Sequence, residues 1–246
     1  MEPVHIGTRE TPPSRRMTTA LNALAGATII LDLDGTLVDT APDLVRALNA
    51  VVEADGYPAT PIEDVRAMVG RGSRALLRRA YARCGTALPE PLMDARQAAF
   101  LAIYEAGIAD HSRPFPGVEA ALDAFMAAGA ICVIATNKPQ HLTERLIDTL
   151  GWRRRFARLV GADAASRKKP HAAHLIEAAG GRDAISRAVM IGDSATDVAA
   201  ARAAGTPVAL MRHGYTERPV ETLGADRILE AWEEAPPAVA ALLETI

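Results

Sequence analysis

The sequence predicts an α/β fold built on a parallel β-sheet, with a helical segment inserted after the first strand. Three observations carry this prediction. An apolar run near residue 30 ends in Asp-Gly, the stretch from Thr40 to about Ala109 has helical periodicity, and strand-like and helix-like segments then alternate. Such alternation predicts right-handed βαβ units, in which each crossover helix packs back onto a parallel sheet.

The first strand is predicted in Ala27–Leu33, a short apolar run with β-branched residues that suits a strand buried on both faces. After it, apolar residues recur three and four positions apart, as expected for one face of a helix. They include Leu44, Val45, Leu48, Val51 and Val52.

From Arg113 onward the pattern predicts a regular succession of elements. A helix at Val118–Ala128 ends at Gly129, a strand follows at Ala130–Ala135, and a further helix begins at Pro139. Later strands are predicted at Arg158–Gly161, Ala188–Ile191, Pro207–Met211 and Arg227–Leu229, with helices near His171–Ala179 and Thr196–Ala204.

The composition is that of a globular protein. Of 246 residues, 49% are hydrophobic and 23% charged, and the net charge of -3 provides no general attraction to nucleic acid or membranes. The two cysteines form no disulfide framework or zinc motif, and they fit a reducing cytoplasm. Residues 1–16 are polar and rich in proline, without the apolar core of a secretory signal, so a flexible extension is expected there.

Charged and hydroxyl side chains follow the predicted strands. Asp32 and Asp34 end the first strand, Thr136-Asn137-Lys138 follows the second, and Gly192-Asp193 follows a later one, with Asp197 four positions on. Lys169 lies in a loop before another helix. Since open α/β sheets bind ligands at the carboxyl ends of their strands, these side chains are expected to gather at one edge.

Their chemistry suits attack on a phosphate monoester. A carboxylate can attack an anionic phosphoryl group only if cations neutralise its oxygens. We therefore expect Asp32 to be the nucleophile and Asp34 the acid and base, with Lys169 and Thr136 contacting the phosphoryl oxygens. Mg²⁺ would be held by the carboxylates of Asp32 and Asp193 and the main-chain carbonyl of Asp34.

Each motif alone has a structural explanation. Asp-Gly after a strand is a common turn, and Gly-Asp-Ser can cap the next helix. The order of all the motifs after predicted strands is what favours a catalytic site.

Together these segments resemble the signature of the haloacid dehalogenase superfamily: Asp32–Thr36, Thr136, Lys169, and Gly192-Asp193 with Asp197. The resemblance implies a Rossmann-like core at residues 26–40 and 113–246 and a helical C1-type cap at 41–112. Residues 1–25 are expected to form a flexible extension before the core. In that superfamily the residue matching Asp197 supports the metal site.

A closer likeness is to the bacterial phosphoglycolate phosphatases. It rests on Leu37–Leu44, Gly70–Gly72, Arg113–Val118, Thr136–Pro139 and Gly214-Tyr215. This likeness implies hydrolysis of 2-phosphoglycolate, a small phosphate ester. The protein is expected to be cytoplasmic and to be a monomer or a homodimer. Substrate contacts are expected from Thr136, Asn137 and Lys169. Arg71 departs from that family's pattern, and it either binds a substrate carboxylate or is solvated.

Other functions stay open. A phosphatase of another small ester such as a sugar phosphate fits the same motifs, and so does a phosphosugar mutase similar to β-phosphoglucomutase. A phosphonatase would need a cap lysine, and none lies between Thr40 and Arg113. A binding or regulatory protein without turnover would have no need of Asp32, Asp34, Lys169 and Asp193 together.

Overall fold

The structure, a computed structural model, describes residues 22–246. The extension expected at residues 1–25 falls mainly on residues 1–21, which lie outside the described residues. Within residues 22–246, no helix is both long and apolar enough to cross a membrane.

The main sheet confirms the predicted α/β class. Within residues 22–246 its order is β5-β4-β1-β6-β7-β8, and every neighbouring pair is parallel. The strands are β1 (Thr28–Leu31), β4 (Ile131–Ala135), β5 (Arg158–Val160), β6 (Ala188–Gly192), β7 (Val208–Met211) and β8 (Arg227–Leu229). Each lies within two residues of its predicted span at both ends.

Helices cover both faces of this sheet. Alternate strand residues point to opposite faces, so Ile29 and Leu31 join one buried cluster and Ile30 joins another. The first cluster includes residues of α5 (Val118–Ala127), α6 (Gln140–Thr149) and α10 (Ala235–Leu243), and the second those of α7 (Ala172–Ala179), α8 (Arg182–Ile185) and α9 (Ala195–Ala204).

Helix α10 was not predicted from the sequence. Its Pro236-Pro237 pair suggests a break in a helix, but both prolines lie in the first turn of α10. A proline is tolerated there because its missing N–H would have no partner within the helix.

A helical insertion separates β1 from β4 in the chain. It consists of α1 (Ala41–Ala54), α2 (Ile62–Met68), α3 (Ser73–Arg83) and α4 (Glu90–Ala106), and these helices pack on one another. In α1 the buried residues include Leu44, Leu48, Val51 and Val52, which the periodicity had placed on one face.

The two connections between the insertion and the sheet domain are joined to each other. Strand β2 (Val38–Asp39) pairs antiparallel with β3 (Arg113–Pro114), a short ribbon that the sequence did not reveal. Beside it, the buried carboxylate of Asp43 accepts hydrogen bonds through Oδ2 from the amides of His111 and Ser112 and from the Ser112 hydroxyl, at 3.0, 2.7 and 2.7 Å. Asp43, at the start of the insertion, therefore holds the end of the insertion, at His111 and Ser112, in place beside it.

We expect Asp43→Ala to lower the free energy of unfolding by about 2–4 kcal/mol, since it leaves buried donors without an acceptor. Burial alone would raise the pKa of Asp43, but the hydrogen bonds from Ser112 and His111 outweigh it and hold the pKa below its ordinary value. The carboxylate thus adds stability above a pH of about 4, and this contribution is lost as the pH falls through the lowered pKa.

Urea unfolding at several pH values measures this effect. The difference between wild type and Asp43→Ala should be largest at neutral pH and shrink below pH 4. Asp94→Ala, which removes an exposed carboxylate, serves as the control and should cost less than about 1 kcal/mol. Equal stability of wild type and Asp43→Ala at pH 7 would contradict the role given to Asp43.

Candidate active site

The carboxyl ends of β1, β4 and β6 define the site. Strand β1 lies between the other two, so Asp32, Thr136 and Asp193, which end or directly follow these strands, face one edge of the sheet. All three are buried. Their proximity follows from the parallel order of the strands, because neighbouring parallel strands end at the same edge.

Lys169 lies between two carboxylates. Its Nζ is 2.9 Å from Asp32 Oδ1 and 2.7 Å from Asp197 Oδ1. The contact with Asp32 is a buried ion pair. Burial alone lowers the pKa of Lys169, but the charges of Asp197 and Asp32 outweigh it and raise the pKa above its ordinary value. Lys169 is therefore a fixed positive charge.

Asp193 is held by two donors. The Thr36 hydroxyl donates to Oδ1 at 3.0 Å, and the Tyr215 amide donates to Oδ2 at 2.6 Å. Two glycines make room for this carboxylate: a Cβ at Gly35 would lie 2.5 Å from Asp193 Oδ2, and one at Gly214 would lie 2.0 Å from Asp193 Cβ. A side chain at either position would displace Asp193.

Asp197 uses both of its carboxylate oxygens inside the protein. Oδ1 accepts from Lys169, while Oδ2 accepts from the amides of Asp193 and Ser194 and from the Ser194 hydroxyl, at 3.2, 3.0 and 2.7 Å. These bonds fix the first turn of α9 and the position of Lys169. Asp197 therefore holds Lys169, Asp193 and Ser194 in position.

The site has an excess of buried negative charge. Carboxylate oxygens of Asp32, Asp193 and Asp197 lie within 4.8 Å of one another, and Lys169 supplies one positive charge against three carboxylates. Burial raises the pKa of Asp32 to about 6, because the charge of Lys169 offsets it only in part. Burial and the charges of Asp197 and Asp32 raise the pKa of Asp193 well above its ordinary value.

A divalent cation fits this arrangement. Asp32, Asp193 and Asp197 form an oxygen-only donor set with excess negative charge, which is what hard cations prefer. A bound cation would also keep the carboxylates ionised at neutral pH, despite their raised pKa values.

Asp34 is paired with a second buried lysine. Lys138 Nζ donates to Asp34 Oδ1 and Oδ2 at 2.9 and 3.3 Å, and to the hydroxyl of Tyr104 on α4 at 2.7 Å. Burial raises the pKa of Tyr104 to about 12, so this hydroxyl keeps its proton at neutral pH. Tyr104 of the helical insertion thus contacts Lys138 of the sheet domain next to Asp34.

Thr136 and Asn137 occupy the neighbouring strand end. The Asn137 amide donates to the main-chain carbonyls of Gly70 and Lys169 at 3.0 and 3.1 Å, so it connects the insertion to the loop that carries Lys169. Thr136 Oγ1 accepts from the Lys138 amide at 3.2 Å.

A cavity opens beside these groups, with about 550 Å³ of empty space that includes its open mouth. Its polar lining includes Asp32, Asp34, Tyr104, Thr136, Asn137 and Lys138, and its apolar walls include Leu44, Val69, Leu76, Phe100, Leu101 and Leu142. Arg71 does not line it. The guanidinium of Arg71 is largely exposed, 3.7 Å from Glu217, at a separate hollow.

Several residues of the site were not predicted from the sequence. Lys138 stands in a quoted motif, and its position after β4 could have identified it. Thr36, two positions after Asp34, could have been identified in the same way. Nothing in the sequence pointed to Tyr104, because its approach to Lys138 depends on how α4 packs. His174 is fully buried, and its Nδ1 accepts from the Lys169 amide at 3.0 Å.

Residues 29–211 match the family model described as haloacid dehalogenase-like hydrolase. The chain is 48% identical to a phosphoglycolate phosphatase of Caulobacter vibrioides, over 91% of this chain and 94% of that one. It is 39% identical to a phosphoglycolate phosphatase of Agrobacterium fabrum, over 85% and 91%. The crystal structure of a predicted phosphoglycolate phosphatase from Haemophilus somnus superposes with a TM-score of 0.79 at 27% identity, covering 86% of this chain and 96% of that one.

Proposed function

The chain belongs to the haloacid dehalogenase-like hydrolase family, and from that premise we propose that it is a magnesium-dependent phosphatase that hydrolyses 2-phosphoglycolate through an aspartyl-phosphate intermediate. The observation that carries the proposal is the buried group of Asp32, Asp193 and Lys169 at the sheet edge. The names of the relatives support the substrate.

The helical insertion is proposed to be the cap of this enzyme, at residues 41–112, with the core at 26–40 and 113–246. The two adjacent connections and the ribbon of β2 and β3 support this division, because a hinge needs both crossings at one place. Closure of a cap over the cavity would exclude water during phosphoryl transfer, and opening would release the products.

Mg²⁺ would be held by the carboxylates of Asp32 and Asp193 and by the main-chain carbonyl of Asp34. When bound, it would neutralise charge on the phosphoryl oxygens and allow an anion to approach them. Asp197, whose oxygens are already used, would support the site without binding the ion.

In the first step a carboxylate oxygen of Asp32 attacks phosphorus, and the bond from phosphorus to the ester oxygen breaks. Lys169 and the Thr136 hydroxyl stabilise the phosphoryl oxygens, and Asn137 holds the Lys169 loop against the insertion. Asp34 donates its proton to the leaving alkoxide, which departs as glycolate. Asp32 then carries the phosphoryl group.

In the second step Asp34, now ionised, accepts a proton from water as that water attacks phosphorus. The bond between Asp32 and phosphorus breaks, releasing inorganic phosphate and restoring both carboxyl groups. The ammonium of Lys138 lies 2.9 Å from Asp34 Oδ1 and holds this carboxyl group in place during both steps.

Incubation with 2-phosphoglycolate and Mg²⁺ should release inorganic phosphate without any added bisphosphate. Excess EDTA should abolish the activity, and added Mg²⁺ should restore it. A panel of sugar phosphates serves as the comparison, with kcat/KM for 2-phosphoglycolate expected to be the highest. Turnover that depends on a sugar bisphosphate activator and retains the phosphoryl group would instead identify a mutase.

Thermal unfolding of the same protein separates metal binding from turnover. At 100 times its Kd, Mg²⁺ should add about 2.7 kcal/mol, which corresponds to a rise in Tm of about 5–10 °C for a chain of this size. The rise should be smaller at pH 5, where Mg²⁺ must displace protons from Asp32 and Asp193. Asp193→Asn should remove it.

A further inference from the structure

Lys138 and Tyr104 present two hydrogen-bond donors beside the proposed acid and base. Lys138 Nζ has three protons and three acceptors, the two oxygens of Asp34 and the Tyr104 oxygen, so a substrate carboxylate would replace the longest of these contacts, 3.3 Å to Asp34 Oδ2. The Tyr104 hydroxyl accepts from Lys138, and within residues 22–246 we find no acceptor for its own proton. Both groups are almost completely buried and line the cavity.

Lys138 is the member of this pair that would attract an anion, against the carboxylates of Asp32 and Asp34 that line the same cavity. Among the described residues that line the cavity, Lys138 is the only cationic side chain. Its Nζ lies 2.9 Å from Asp34 Oδ1 and 2.7 Å from the Tyr104 hydroxyl oxygen. In a buried site a hydrogen bond to a charged acceptor is stronger than one to a neutral acceptor.

We propose that Lys138 and Tyr104 bind the carboxylate of the leaving group, and that they select phosphate esters of short 2-hydroxy acids. The inference rests on the proposed function. In such an ester the carboxylate carbon is two bonds from the ester oxygen. An ester oxygen that receives its proton from Asp34 therefore places the carboxylate next to Lys138 Nζ, which lies 2.9 Å from Asp34 Oδ1.

The apolar walls favour the same substrates. Leu76, Phe100, Leu101 and Leu142 line the cavity and offer no hydrogen bonds. A sugar hydroxyl that faces these walls would lose its water without gaining a partner, at a cost for each unpaired group. A two-carbon acid has only its carboxylate to satisfy.

Two substrates of the same shape test the proposal: 2-phosphoglycolate and its uncharged amide, in which a carboxamide replaces the carboxylate. The measured quantity is the ratio of their kcat/KM values. Dividing by the amide removes any effect of a substitution on Asp34 or on the fold, because both substrates use these equally.

Lys138→Met should lower this ratio about 100-fold relative to wild type, since a buried charge pair with the substrate is lost. Tyr104→Phe removes only a hydroxyl and should lower the ratio about tenfold, which keeps the test valid if Lys138→Met does not fold. Arg153→Met removes an exposed positive charge from outside the cavity and should leave the ratio unchanged.

A ratio within about threefold of wild type in Tyr104→Phe and in folded Lys138→Met would overturn the proposal. Lys138 would then act on Asp34 alone. That outcome differs from failure of the proposed function, in which the wild type itself would not hydrolyse 2-phosphoglycolate with Mg²⁺.

Discussion

Asp32→Asn is expected to lower kcat for 2-phosphoglycolate by about 10⁴- to 10⁶-fold, the range found when a covalent nucleophile is removed. The amide has nearly the shape of the carboxylate but is a far weaker nucleophile. The substitution also removes one of three clustered negative charges, so the protein should keep its fold and its Tm. Phosphate release in steady state measures the effect.

Acid quenching during turnover gives a second measurement of the same prediction. Mass spectrometry should find a phosphoryl group on the wild-type peptide that contains Asp32, and none on the peptide from Asp32→Asn. Asp183→Asn, an exposed residue in α8, is the control and should retain wild-type activity. Asp32→Asn activity within about tenfold of wild type would end the assignment of Asp32 as nucleophile.

The adjacent lysines Lys168 and Lys169 offer a matched pair for the second prediction. Lys169 is buried between Asp32 and Asp197, whereas Lys168 is exposed. Lys169→Met should lower kcat/KM about 10³-fold or more, since a fixed charge that stabilises the phosphoryl oxygens is lost. Lys168→Met should stay within about threefold of wild type.

Stability should separate the two lysine variants as well. Lys169→Met leaves carboxylates buried and unpaired. In the absence of Mg²⁺ it should lower the free energy of unfolding by about 3–5 kcal/mol at neutral pH. The cost should shrink at lower pH, where the carboxylates take up protons, and Mg²⁺ should recover part of it. Urea unfolding with and without Mg²⁺ measures both. Equal effects of the two substitutions would contradict the position given to Lys169.

The strands could be read from the sequence because a strand in a buried parallel sheet is apolar along its whole length. The runs at β1, β4 and β6 are of this kind, and their ends were predicted to within two residues. The ribbon of β2 and β3 could not be read, because each strand is two residues long and the two are far apart in the chain. The two strands pair because the chain re-enters the sheet domain after the insertion beside the point where it left that domain.

The same limit applies to the site. Asp32, Thr136 and Asp193 follow apolar runs directly, so the parallel sheet alone brings them to one edge. Arg71 lies on a loop of the insertion, and the sequence does not indicate which way its side chain points. In the structure its guanidinium lies 3.7 Å from Glu217, outside the cavity.

The sequence by itself determined the fold class and the family, together with the carboxylates and lysine that follow the strands, because strand periodicity and the parallel sheet set their positions. Tertiary structure alone decided which groups from the insertion meet them. Tyr104 reaches Lys138 only through the packing of α4 above the sheet edge, and Asp43 reaches Ser112 only where the two connections cross. Such contacts join residues far apart in the chain, and local sequence patterns do not encode their distances.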